Sequence, residues 1–194
     1  MNTPLAESQA LDTLAARLVE HRAKLPSAAI PFELPEPQTT GRQLGELGHL
    51  IAETSADFQQ RLSAEPPSEC GIRAAWAYAD VSDRLGQVVS ARGAVTGQIA
   101  FFAHTHELRD KPDIAAARKT ALRVLDLAVS NAQEELDEAV GRLRSESSMI
   151  TRLAECARLE AAFSRTAPAA VPVARGTSAT ATAAVRPPGA RKSR

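Results

Sequence analysis

Apolar residues recur at steps of three and four through four proline-free blocks, 5–25, 38–65, 68–111 and 113–167. A proline inside a helix costs about 3 kcal/mol, so these blocks are where helices can run without a break. In the first block Leu11, Leu14, Leu18 and Leu25 share one face, close to Ala15 and Val19. Thr3 followed by Pro4 supplies an N-cap and a first helical residue with its φ already set. The second block opens at Thr39 or Thr40. It carries a large stripe of Leu44, Leu47, Ile51, Thr54, Phe58 and Leu62. Beside that runs a small stripe of Gly41, Gly45, Gly48, Ala52 and Ala56, which predicts close approach of another backbone. The stretch 26–39 between the two blocks is proline-rich, has no helical period, and reads as an extended linker.

The third block carries a seven-residue repeat. One position holds Tyr78, Leu85, Arg92, Ile99 and His106, and the other holds Ala74, Val81, Val88, Val95 and Phe102. Such a repeat is a coiled-coil signature and predicts a helix over 68–109, roughly 63 Å long at the standard rise. Arg92 and His106 interrupt the apolar seam, with His106 read as a polar seam residue near the end of the helix. In the fourth block Pro112 takes the first helical position and Asp113 sets a negative charge at the positive helix end. Its apolar residues then run Ile114, Ala117, Ala121, Leu125, Ala128, Ala132, Leu136, Ala139 and Leu143, continuing less regularly through Ile150, Leu153, Ala157 and Phe163. The step pattern repeats every eleven residues, which suits a nearly straight helix over 112–165.

A short RDKPD turn between two long amphipathic helices predicts an antiparallel hairpin. It sets 93–103 beside 118–128. Both segments are apolar around most of their circumference, so further elements are expected to cover them, helix 2 first. The fold class is therefore all-α: a long, coiled-coil-like antiparallel hairpin (68–109 and 112–165) within a three- or four-helix bundle spanning 40–165. An N-terminal helix lies within 1–25, and the tail 166–194 is expected to be disordered. That tail is rich in Ala, Thr and Pro and cannot bury enough apolar area to offset its chain entropy.

Composition alters the picture in two respects. Aromatic residues are only 4% of the 194, so the core must be built from Ala, Leu and Val, and an all-β fold is improbable. The formal net charge is zero but unevenly spread. The tail carries Arg175, Arg186, Arg191, Lys192 and Arg194 with no acid, a net +5 that leaves −5 on residues 1–165. Such a tail can attract nucleic acid or an acidic protein surface, or fold back on its own acidic body. Arg186, Arg191, Lys192 and Arg194 are the candidate contacts. Two isolated thiols, Cys70 and Cys156, suggest a reducing compartment. With no secretory signal and no membrane-spanning segment visible, cytoplasm is the expected location.

Candidate chemistry is sparse. Glu46 and His49 stand three apart on a helix, the spacing used by carboxylate-bridged di-iron bundles. Such sites need a second pair, and no other histidine has an acid three residues before it. No phosphate-binding loop, dinucleotide fingerprint, nucleophile elbow, zincin motif or C-x-x-C occurs. The expected function is a non-enzymatic interaction or scaffold protein with no cofactor, no metal, no small-molecule substrate and no membrane contact. It binds a protein partner or a second copy through an elongated helical surface. The expected contact is the part of helix 4 around 143–163, with Leu153, Leu159 and Phe163 as anchors. The alternatives are a nucleic-acid-associated or regulatory protein working through the basic tail, and an enzyme or metal site around Glu46 and His49.

Overall fold

The computed structural model describes residues 3–25, 34–64 and 68–166. Four helices make up nearly all of them: α1 (Pro4–Ala23), α2 (Pro37–Leu62), α3 (Glu69–His104) and α4 (Pro112–Thr166). The described residues contain no strand. Cross-helix contacts set the directions. Ser82 Oγ donates to Thr54 Oγ1 at 2.8 Å, and farther along Arg92 reaches Gln43, so α2 and α3 are antiparallel. Arg73 pairs with Glu146 and Arg84 with Glu135, so α3 and α4 are antiparallel. Ser147 Oγ donates to the Ser8 carbonyl and Arg22 pairs with Asp137, so α1 and α4 are antiparallel. The chain is an all-α bundle whose helices alternate up and down.

Local chemistry explains where each helix starts. Thr3 Oγ1 accepts from the Ala6 amide and Pro4 follows it, as the sequence predicts for α1. Ser68 Oγ accepts from the Gly71 amide at 3.0 Å and caps α3. Each oxygen satisfies one of the amides that a helix start leaves without a partner. Pro37 opens α2 ahead of Thr39 and Thr40, because its fixed φ and missing N–H suit the first turn. Pro112 plays the same part in α4, with Asp113 behind it.

α3 ends earlier than the periodicity predicts, at His104 and not 109. Thr105 turns its hydroxyl back onto the Phe101 carbonyl, and Arg118 of α4 donates to the Phe102 carbonyl at 3.2 Å and to Thr105 Oγ1 at 3.0 Å. The guanidinium also lies 4.7 Å over the Phe102 ring. With its last carbonyls satisfied from outside, the helix stops, and 105–111 forms the connection. His106 is therefore an exposed turn residue and not part of the seam, whose last position is taken by buried Thr105.

The remaining seam positions of α3 are buried, from Ala74 and Tyr78 through to Ile99 and Phe102, with Arg92 among them. Leu125, Ala132, Leu136, Ala139, Leu143 and Ile150 bury the facing side of α4. α1 contributes Leu11, Leu14, Ala15 and Leu18 to the same core, and α2 contributes Leu47 and Leu50. α1 packs on α4 and more lightly on α3, while α2 packs most closely on α3 and meets α1 through side chains, Arg61 to Glu7, Glu53 to Arg17 and Gln43 to the Lys24 carbonyl. The small stripe of α2 lies away from these contacts and faces solvent: a Cβ added at Gly41, Gly45 or Gly48 would meet nothing within 4 Å. The close backbone approach expected there does not occur, and Gly93 and Gly97 on α3 are equally open.

Coverage of the hairpin is also less than its hydrophobicity predicts. α1 stops near the level of Asp137, where Arg22 pairs with it, and α2 starts only six residues before Gln43, which meets Arg92. Beyond Arg92 the hairpin makes a second, separate core of Val95, Ile99, Phe102, Ala121, Leu125 and Val129. Leu122, Val124 and Leu127 remain 40%, 40% and 61% exposed there.

Candidate interaction surface

Two stretches of α4 present apolar side chains to solvent, and each follows from where the other helices end. Leu143, Glu146, Ser147 and Ile150 are the last buried residues of α4. Leu153 is half-buried, and residues 155–164 are all exposed. Leu159 is 59% and Phe163 73% exposed, while Leu153, the third expected anchor, sits at the bundle's edge. Within the expected stretch 143–163, continuous exposure begins only at 155. Its proximal part is occupied, with Glu146 buried between Arg73 and Arg142. Before it, Asp137 is held by Arg22, so these charges tie α4 to α1 and α3.

The second stretch is a groove of about 650 Å³ on the outer side of the α3–α4 hairpin. Ala91 and Ala94 of α3 and Val124, Leu127 and Ala128 of α4 give it an apolar floor. Three small side chains among these five leave the depth. Glu134, Glu135 and Glu138 line its other end, and no basic residue lines it among the described residues. Arg84 reaches Glu135 and Glu138 from beyond the lining, while Glu134 is exposed. Farther along α3, Trp76 is 68% exposed and Ile72 36%. Sequence reasoning missed Trp76, Val124 and Leu127 as surface anchors. Trp76 lies outside both seam positions, and that was the readable signal. The exposure of Val124 and Leu127 depends on where α1 and α2 stop, which no local pattern encodes.

Two polar layers cross the core. In the first, Arg61 Nε donates to Glu7 at 2.7 Å, Nη1 donates to the Asp57 carbonyl and carboxylate, and the guanidinium lies 4.4 Å over the Tyr78 ring. Burial alone would lower the Arg61 pKa, but its hydrogen bonds to Glu7 and Asp57 and the nearby Tyr78 raise it. Burial pushes the Tyr78 hydroxyl up to about 12, so neither group changes charge near neutrality. In the second layer Arg92, only 1% exposed, donates through Nη2 to Gln43 Oε1, while Nε and Nη1 have no acceptor. Burial lowers its pKa.

The Glu46–His49 pair does not form a joint site. Glu46 reaches across to His21 and Lys24 of α1, whereas His49 lies near Glu53 one turn along α2. Among the described residues no three His, Cys, Asp or Glu side chains converge where a metal could sit. Cys70 is half-buried, with its thiol pKa raised by burial, and Cys156 is exposed on the α4 overhang. Arg186, Arg191, Lys192 and Arg194 lie outside the described residues. No helix among the described residues is long and apolar enough to cross a membrane. No family model, curated protein or solved structure matches the chain.

Proposed function

We propose that this chain is a non-enzymatic helical interaction protein that engages a protein partner or a second copy through the free end of α4. The observation that carries the reading is the overhang itself: α4 continues past its last buried residue, Ile150, and presents Leu159 and Phe163 at 59% and 73% exposure. Past Ile150 tertiary cover thins, with Pro4 of α1 beside Ala154 and Ala157, so this length draws little stability from the bundle. Large apolar side chains on such a segment gain burial only by meeting another surface. A helix face offering such residues at three- and four-residue spacing is a common form of groove-binding ligand.

Leu159→Asp tests this without touching the core. Its melting temperature is expected to match the parent's within about 2 °C, because exposed substitutions rarely shift stability by more than about 0.5 kcal/mol. Sedimentation equilibrium and affinity capture from the native lysate are then run on both proteins. The expected result is that self-association weakens at least about 10-fold, or that a protein captured by the parent is lost from the variant. A chain that stays monomeric and captures the same proteins with and without Leu159 would refute the reading.

A further inference from the structure

We propose that the acidic-ended groove between α3 and α4 is a docking site for this chain's own basic C-terminal segment, residues 171–194. The inference is independent of the α4 overhang. Three observations carry it. The groove joins an apolar floor, with Leu127 61% and Val124 40% exposed, to carboxylates at one end, and among the described residues no base lines it. The segment supplies the complement, with Arg175, Arg186, Arg191, Lys192 and Arg194, no acid, and apolar Val171, Val173, Val185, Pro187 and Pro188. Arg84 leaves part of the acidic end unneutralised, because it addresses Glu135 and Glu138 but not Glu134.

Reach is sufficient. Along α4 the distance from Thr166 back to Glu134 is roughly 48 Å, and to Val124 roughly 63 Å, at the helical rise. An extended chain spans about 3.3 Å per residue. Lys192 can therefore lie up to about 86 Å from Thr166 and Arg186 up to about 66 Å. Covalent attachment through a tether of this length gives an effective concentration on the order of 1 mM. Contacts too weak to hold a free peptide then suffice within one molecule. A parallel contact between the grooves of two copies is disfavoured, because it would set Glu134, Glu135 and Glu138 against their like, and an antiparallel one would set them against the apolar floor.

Lys192 is the segment's only lysine, which gives the test its specificity. Zero-length carbodiimide coupling joins a lysine amine to a carboxylate in direct contact. It is applied to the full chain as an equal mixture of isotopically light and heavy protein. The expected product joins Lys192 to Glu134, Glu135 or Glu138 within one molecule. Its yield is expected to fall at least about 5-fold at 0.5 M salt, where the screening length drops below about 5 Å. Glu134→Arg and Leu127→Asp change exposed side chains, so the fold should survive. Each is expected to lower the remaining yield at least about 3-fold, and circular dichroism checks that helix content is unchanged. Amide resonances of 124–138 in the full chain are expected to move when Arg186, Arg191, Lys192 and Arg194 are reversed to Glu. Coupling spread over exposed acids elsewhere, coupling only between light and heavy molecules, or no coupling overturns the proposal. So does a tail that retards a DNA duplex at low salt while the resonances of 124–138 stay fixed under the charge reversal.

Discussion

At the scale of single residues, Arg92 is a costly side chain for the core to hold. It occupies an apolar seam position at 1% exposure, and two of its donor nitrogens have no acceptor. A buried charge lacking a full set of partners destabilises, and an apolar replacement of similar volume is often stabilising by about 1–4 kcal/mol. Arg92→Met is expected to raise the urea unfolding free energy within that range. Gln43→Ala should do the opposite, costing about 1–3 kcal/mol. It removes the acceptor of Arg92 and also the donor to the Lys24 carbonyl, 2.9 Å away, at the end of α1. If both substitutions destabilise, the buried guanidinium has partners beyond Gln43. His21 gives a pH test with a defined sign. Burial first, then Lys24, lowers its pKa from the ordinary 6.5, against an opposing pull from Glu46. Below about 6.5 the unfolded chain therefore takes up a proton that the native state resists, so stability falls as pH drops from 6.5 toward the lowered native value. Urea midpoints at pH 7.5 and 5.5 should show a smaller loss in His21→Gln than in the parent.

At the scale of elements, what the sequence made legible is what local periodicity controls. The α3 repeat names nearly every buried position between Ala74 and Phe102, and the eleven-residue pattern does the same for α4 from Ala121 to Leu143. Helix starts were readable because Thr3–Pro4 and Pro112–Asp113 act on their own first turns. The end of α3 was not, because it is made by Arg118, sixteen residues beyond the Phe102 carbonyl it bonds. The orientation of the α2 glycines was not legible either. A stripe of small residues looks the same whether a backbone approaches it or water does. Since a Cβ at Gly45 or Gly48 meets nothing within 4 Å, the alanine variants gain helix propensity without a clash. Gly45→Ala and Gly48→Ala should each add about 0.5–1 kcal/mol in chemical denaturation. A loss at either position would mean that another surface closes on the stripe in solution.

At the scale of the whole molecule, the bundle is thick at one end and thin at the other. Where all four helices overlap, α1 supplies Leu11 and Leu18 and α2 supplies Leu47 and Leu50 to one continuous core. Toward the turn at 105–111 the second core, among the described residues, draws its buried side chains from α3 and α4. This division was not legible beforehand. Strong apolarity in 93–103 and 118–128 predicted cover, and cover is set instead by where α1 and α2 stop. The same division shapes the functional candidates. The acidic-ended groove begins where the bundle thins, and the exposed Leu159 lies at the opposite end of the molecule, beside the start of α1. Local opening free energy follows the number of buried apolar contacts. Amides of 93–104 and 116–128 are therefore expected to exchange with solvent faster than those of 74–90 and 132–148, although both sets are helical. Hydrogen exchange of the full chain, repeated with the tail charge reversal, separates two sources of protection. If the tail occupies the groove, exchange in 124–138 should quicken on reversal while 74–90 stays unchanged. Uniform protection along α3 and α4 would instead mean that the two cores open as one unit.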